Sequence, residues 1–257
     1  MPTVDLNCDM GESFGAYSIG ADADVMAYIT SANIACGFHG GDPTVMRETV
    51  SLALEHNVAI GAHPGLPDLV GFGRRTMEIS AQDAYDIVVY QVGALMATAA
   101  ALGARVAHVK PHGALYNMAA AKQPLSQAIA RAVRDVDARM ILFGLAGSYL
   151  VSAGEAAGLR TASEVFADRN YMADGSLVPR SRKDAMVESA EAAVARAIHM
   201  VQHGGVQSVD GTEIQLRADT ICLHGDGEHA ADFARRLRDG LQAAHIEVAA
   251  IRVSERQ

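Results

Sequence analysis

Short apolar runs alternate with longer, alanine-rich stretches along almost the whole chain. Val4–Leu6, Asn33–Cys36, Val58–Ala62, Val106–Val109, Met140–Gly144, Thr161–Phe166 and Thr220–Leu223 read as strands, and Glu247–Ile251 is a further candidate. The stretches between them carry helix signals. Asp42-Pro43 sets a cap residue before a proline at the first helical position. Ser80 with Asp83 three residues later resembles a capping box. Ser181 precedes a long helical pattern over 182–203, and Gly204-Gly205 ends it. Strand–helix repetition implies a parallel sheet with crossover helices. Seven or eight such units in 257 residues predict an α/β fold closed into a (β/α) barrel, with 1–257 as one domain. An open doubly wound sheet is the alternative.

Side chains of a strand alternate between its two faces. If the apolar set faces the helices, Val4 and Leu6 point outward and Asp5, Asn7 and Asp9 point into the barrel. The same rule turns Asn33, Ala35 and His39 inward, then Gly61 and His63, then His108 and Lys110, then Glu164, then Cys222 and His224. Asp9, His39, His63, Lys110, Glu164 and His224 thereby gather at or just past the C-terminal strand ends, where α/β enzymes build their sites. One inward histidine is ordinarily a hydrogen-bonded core residue. Six titratable groups at equivalent positions are costly to bury as structure alone, so they predict a functional site.

Composition sharpens this picture. Lys and Arg number 21 against 30 Asp and Glu, a net charge of −9, which argues against a nucleic-acid or anionic-membrane surface. Ten histidines are present. His56, His199, His203, His229 and His245 fall on helical stretches or their ends and are expected at the surface. Cys8, Cys36 and Cys222 lack CxxC spacing and are expected as buried, reduced thiols. The opening MPTVDLNCDMGE has no basic segment followed by an apolar one, and no apolar run approaches a membrane span. A cytoplasmic chain is expected.

Two loops are long and polar for plain connections: 63–78, HPGLPDLVGFGRRTME, and 164–184, EVFADRNYMADGSLVPRSRKD. They offer Arg74 and Arg75 in the first loop and Arg169, Arg180 and Arg182 in the second as groups for an anionic ligand. HVKPHGALYN at 108–117 places Lys110 at a strand end and His112 on the loop beyond it. The spacing of His108 and His112 resembles a metal pair only on a helix, and a strand and Pro111 intervene. ACGFHGGDP at 35–43 and LHGDGEHA at 223–230 couple a strand end to glycines and a helix start, which favours anions. The second segment, with Asp226, fits GxGxxA in form alone; a phosphate-type anion site and a structural turn both remain open. GxxxxGK[ST], HExxH and GxSxG are absent.

DLNCDMGESFG at 5–15, NIACGFHGGDP, GAHPGLPDLVGFGRR at 61–75, HVKPHGALYN, EVFADRNY at 164–171 and LHGD at 223–226 together resemble the LamB/YcsF family, nearly end to end. The resemblance implies an irregular, seven-stranded (β/α) barrel related to glycoside hydrolase and deacetylase barrels. It implies opening of the lactam 5-oxo-L-proline to L-glutamate, with ATP cleaved to ADP and phosphate. It also implies 5-oxoprolinase subunits B and C as partners; a homo-oligomer is compatible with the sequence. The chemistry suits the residues. Amide resonance makes a lactam carbonyl a poor electrophile, and phosphorylating its oxygen would correct this. Lys110 with Arg74 or Arg169 would hold the carboxylate or phosphorylated oxygen. Asp9 or Glu164 would activate water, and His63, His112 or His224 would shuttle protons. Glu12 joins the catalytic candidates; Asn7, His39, Arg75, Asp168, Tyr171 and Asp226 join the binding candidates. Replacing Lys110 by Met is expected to abolish activity and leave folding intact.

The missing Walker loop leaves open whether ATP, with or without Mg, binds this chain or a partner protein. The metal is unassigned. Two other functions fit the residues: a metal-dependent amidohydrolase or deacetylase using Asp9, His39, His63 and His224, and a non-catalytic lactam-binding subunit.

Overall fold

A computed structural model describes residues 1–223 and 230–251. Seven parallel strands close into a barrel: β1 (Thr3–Met10), β2 (Ser31–Ala35), β3 (Ala59–His63), β4 (Val106–Val109), β5 (Ile141–Leu145), β6 (Arg160–Phe166) and β9 (Thr220–Leu223). The seal is β9, which pairs with β6 on one side and with Asp5–Cys8 of β1 on the other. The irregularity lies at this seam. A short antiparallel ribbon, β7 (Gly205–Gln207) and β8 (Glu213–Gln215), stands before β9. The last strand, β10 (Glu247–Val248), lies beside Thr3–Val4 at the start of β1, outside the closed ring. It is shorter than the 247–251 run predicts.

The alternation along the strands is realised. Val4, Leu6, Ile34, Ile60, Ala62, Val109, Val165, Ile221 and Leu223 all belong to the main apolar core. Ile141, Phe143 and Ala162 form a small separate cluster against which Ile251 packs. Between Ile60 and Gly61 the β3–β4 register slips by one residue, where the His108 ring lies against Gly61.

A one-turn helix, α1 (Asp22–Val25), precedes β2. Some of the longer helices begin at side-chain caps. Asp42 Oδ1 accepts from Thr44 and Val45 N–H at the head of α2 (Pro43–Glu55), and Ser80 and Asp83 close a reciprocal box on α3 (Ala81–Ala101). By length and composition α3 is apolar enough to cross a membrane. Here it is a barrel helix: its buried Gln91 donates to and accepts from the backbone of Gly65, tying it to the loop after β3. The helices α4 (Gly113–Ala121), α5 (Gln123–Asp137) and α6 (Tyr149–Ala156) follow, and α8 (Ala230–Ala243) comes late. The 182–203 helix is shorter than its pattern: α7 is Ala190–His203, capped by Ser189 and ended by Gly204 at φ 70°. Residues 182–189 instead fold back on the loop after β6. Asn170 Nδ2 donates to the carbonyls of Asp184 and Met186, and Val187 N–H donates to the Asp168 carbonyl.

His56, His199, His203 and His245 are exposed on helices and their ends, His229 lies outside the described residues, and all three cysteines are buried and free.

Candidate functional site

The barrel interior is a column of polar side chains rather than an apolar plug. At its base the buried Asp5 carboxylate accepts from Thr30 (2.6 Å), Ser31 (2.7 Å) and Thr220 (2.5 Å). Burial still outweighs these bonds and raises its pKa. One layer up, Asn7 Nδ2 donates to Thr220 Oγ1, and Asn33 Nδ2 donates to Asn7 Oδ1. His108 Nε2 meets Asn33 Oδ1 at 2.8 Å, and its ring stacks on Phe143. Burial, then Lys110 and His63, push His108 down to about 3, so it is a neutral packing residue.

Lys110 occupies the next layer. Its ammonium lies 2.8 Å from Glu164 Oε1, 3.0 Å from Asp9 Oδ1 and 3.0 Å from Asn7 Oδ1. Burial alone would lower its pKa; Asp9, Cys222 and Glu164 outweigh burial and hold it well above the usual lysine value. The second Glu164 oxygen accepts from Tyr116 Oη at 2.6 Å. Glu164 is therefore a fully engaged anchor for Lys110. Asp9 is different: its side chain is 16% exposed and reaches the cavity above. Burial would raise its pKa, yet His63 and Lys110 pull it well below the carboxylate range, so it stays ionised.

At the top sit Glu12, His39, His63 and His112. Each comes from a different strand end: β1, β2, β3 and β4. His63 Nδ1 contacts the Lys110 carbonyl at 2.7 Å, and His112 Nε2 contacts the Phe72 carbonyl at 2.8 Å. The His39 and His112 rings stack 3.7 Å apart, and Phe72 stands edge-on to both. Phe72 adopts φ 55°, a left-handed conformation unusual for a bulky residue; here its carbonyl serves His112. The potential ligand atoms of the four residues lie within 4.8 Å of one another. In the described residues the metal-competent cluster thus combines His39 and His63 with Glu12 and His112. Asp9, expected as a ligand, is committed to Lys110 and Asn33 and lies 3.3 Å from His63 Nε2.

Above these groups opens a cavity of about 920 Å³, the size of a small-molecule site. Asp9, His63, Lys110 and His112 line its inner end, and the N-termini of α4 and α6 border it. Arg74, Arg169 and Arg180 line its wall, and the loop 174–180 forms its outer side. Arg169 is buried, donates to the Val178 carbonyl at 2.6 Å, and has a lowered pKa, first from burial and then from Arg180.

Several expected binding residues have other work. Arg75 grips Asp68 through both guanidinium and carboxylate forks, away from the cavity. Tyr171 is buried, and its hydroxyl accepts from Phe166 N–H at 2.8 Å, fastening the loop to β6. Asn7 supports Lys110 from below without reaching the cavity, and Asp168 holds Val187 through its carbonyl. His224 and Asp226 lie outside the described residues. Three contributors carry no role in the sequence pattern. Tyr116 lies one helical turn beyond His112, and Ser148 occupies the N-cap of the helix at the cavity rim. Arg196 on α7 donates to the Ala167 carbonyl and Asn170 Oδ1, bracing the loop after β6. Only Tyr116 has a sequence signal, by standing inside the HVKPHGALYN motif.

The LamB/YcsF family model matches residues 4–256. The chain belongs to the LamB/YcsF family. Among its relatives, the 5-oxoprolinase A subunit of Bacillus subtilis (strain 168) is 63% identical over 96% of both chains. The protein of that name from Tolumonas auensis is 60% identical over 98% of this chain and 100% of its own. A crystal structure of a lactam utilization protein from Thermus thermophilus superposes with a TM-score of 0.91, at 46% identity, covering 97% of this chain and 100% of that one. A LamB/YcsF barrel therefore has a solved counterpart over nearly its whole length. A putative cellobiose-phosphate cleavage protein from Enterococcus faecalis V583 shares the fold at 15% identity, TM-score 0.59, covering 96% of this chain and 97% of its own.

Proposed function

We propose that this chain is the A subunit of an ATP-dependent 5-oxoprolinase, opening 5-oxo-L-proline to L-glutamate in the cytoplasm. The observation that carries this reading is the end-to-end likeness to proteins named as the A subunit of 5-oxoprolinase. The site geometry agrees with it. One lactam, one ATP and two waters yield glutamate, ADP and phosphate. A phosphoryl group on the amide oxygen makes C5 electrophilic; one water adds there, the C–N bond breaks, and a second water releases phosphate. The carboxylate and phosphorylated oxygen would face the arginine wall and the α4 and α6 N-termini, which favour anions. Asp9, ionised and beside His63, is the base for water, with His63 and His112 passing the proton on. Lys110 holds Asp9 in place and adds positive charge at the cavity floor.

The 1–257 chain acts in this reading as one barrel domain and assembles with subunits B and C. The free, buried cysteines suit a reducing compartment. ATP binds without a Walker loop, with Mg as its companion ion, at a site shared with the partners. Reconstitution tests this: lactam loss and ADP release are measured for the chain alone, for B with C, and for all three. Lactam-dependent ADP release by the full set alone is expected. A complete complex that cleaves no lactam would defeat it. Lactam opening by this chain without nucleotide would instead favour a metal-dependent hydrolase, which the Glu12–His39–His63–His112 cluster also suits.

A further inference from the structure

A carbonyl oxygen only accepts hydrogen bonds. The Lys110 carbonyl therefore fixes the proton of His63 on Nδ1, and the Phe72 carbonyl fixes that of His112 on Nε2. The free nitrogens, His63 Nε2 and His112 Nδ1, then point lone pairs at each other across 2.9 Å. Two lone pairs at that distance need something positive between them. A single added proton would satisfy this contact and face Asp9 Oδ2, 3.3 Å from His63 Nε2, but would not reach His39. His39 is fully buried, and neither of its ring nitrogens has a hydrogen-bond partner. Its Nε2 lies 3.5 Å from Glu12 Oε1, which in turn lies 3.6 Å from His112 Nδ1. These spacings match the edges of about 3.3 Å expected for a tetrahedron of donors each about 2.0 Å from one ion. Metal-bound histidines ordinarily donate their other ring N–H to a carbonyl or carboxylate, as His63 and His112 do here.

We propose that Glu12, His39, His63 and His112 form a binding site for one divalent transition-metal cation of the zinc class. Three imidazoles and one carboxylate suit Zn²⁺ and its neighbours; Mg²⁺ and Ca²⁺ call for oxygen donors. The ring of Phe72 closes the site on one side, and His63 and His112 open it toward the cavity. If the lactam-hydrolase reading holds, an ion there would supply an activated water next to Asp9 and would take the place of the proton relay through His63 and His112; the binding itself does not depend on that reading.

The test uses the full chain stripped with chelator and checked for intact secondary structure. Zn²⁺ is titrated by calorimetry and the bound metal counted after gel filtration. One ion per chain is expected, with micromolar or tighter affinity and a raised Tm. His39→Phe, which keeps the aromatic stack, should weaken binding at least a hundredfold while the protein stays folded; His56→Gln, on the surface, should change nothing. Absence of uptake by the folded chain would overturn the site, whether or not the reconstituted complex turns over. Equal uptake by His39→Phe would overturn it as well.

Discussion

Lys110 Nζ lies 2.8 Å from Glu164 Oε1, and both side chains are shut away from water. Neither residue alone reveals this pairing, because β5 separates their strands in the barrel. Removing one partner of a buried ion pair strands the other charge, at a cost of about 3–5 kcal/mol. The expectation that Lys110→Met leaves folding intact is therefore corrected: that variant should lose both activity and several kcal/mol of stability. The double variant Lys110→Met with Glu164→Gln should regain most of the stability and none of the turnover. Urea midpoints and reconstituted activity, measured side by side, separate the two effects. Equal instability of the single and double variants would refute the pairing as the cause.

The glycine at 61 is a second point where one atom decides the packing. A Cβ there would collide with His108 Nε2 inside the barrel, where the ring is also held by Asn33 and Phe143. Gly61→Ala should push the ring out of its place and cost roughly 1–3 kcal/mol, as overpacking does. Gly93, exposed within α3, has nothing within 4 Å of its missing Cβ. Gly93→Ala should stabilise by about 0.5–1 kcal/mol through helix propensity and lost unfolded-state freedom. Thermal melts of the two variants should move in opposite directions.

Much of this site was legible from strand alternation. Asp9, His63, Lys110 and Glu164 sit at predicted strand ends and point as the period of two requires. What alternation could not supply was convergence across loops. Glu12 and His39 lie past their strands, so their meeting with His63 and His112 depends on backbone turns rather than on strand phase. Residue type misled where structure and function use the same chemistry. Arg75 and Tyr171 look like ligand-binding groups, yet their partners are Asp68 and a backbone amide. The helix expected from 182 fails for a related reason: its first turns are drawn into hydrogen bonds with Asn170 and Asp168, and tertiary demand overrides a weak propensity.

Acid should unfold the protein in a specific window. His108 titrates near 6.5 when unfolded and at about 3 when folded. The folded state thus binds fewer protons, so stability is full above pH 6.5 and falls as pH drops toward 3. Between about pH 7.5 and about pH 5 this ring alone should cost roughly 2 kcal/mol. His112, also pushed down to about 3 by burial and then by His63, adds to the loss. In chelator, His108→Gln should flatten the pH dependence of the urea midpoint by about the share of one ring. An unchanged slope would mean that His108 is protonated, or exposed, in the folded protein.

The two arginines of the GFGRR loop should part company in kinetics. Arg74 lines the cavity, with its guanidinium 4.8 Å from the Phe72 ring centre; Arg75 is turned to Asp68. A charge-assisted hydrogen bond to an anionic ligand contributes about 1.5–3 kcal/mol, and each 1.4 kcal/mol is tenfold. In the reconstituted complex, Arg74→Ala should raise KM for the lactam or for ATP about tenfold to a hundredfold. Arg75→Ala should leave both KM values within about twofold and instead loosen the 63–78 loop, visible as faster amide exchange at Gly71, whose N–H is held by Asp68. Asp68 keeps that loop closed only while its carboxylate is ionised, and Arg75 holds it down at about 2. Losing Arg75 should therefore make the loop open at a higher pH, with KM following only as far as Arg74 moves. The reverse pattern, a large KM effect from Arg75 and none from Arg74, would mean that the anion binds outside this cavity.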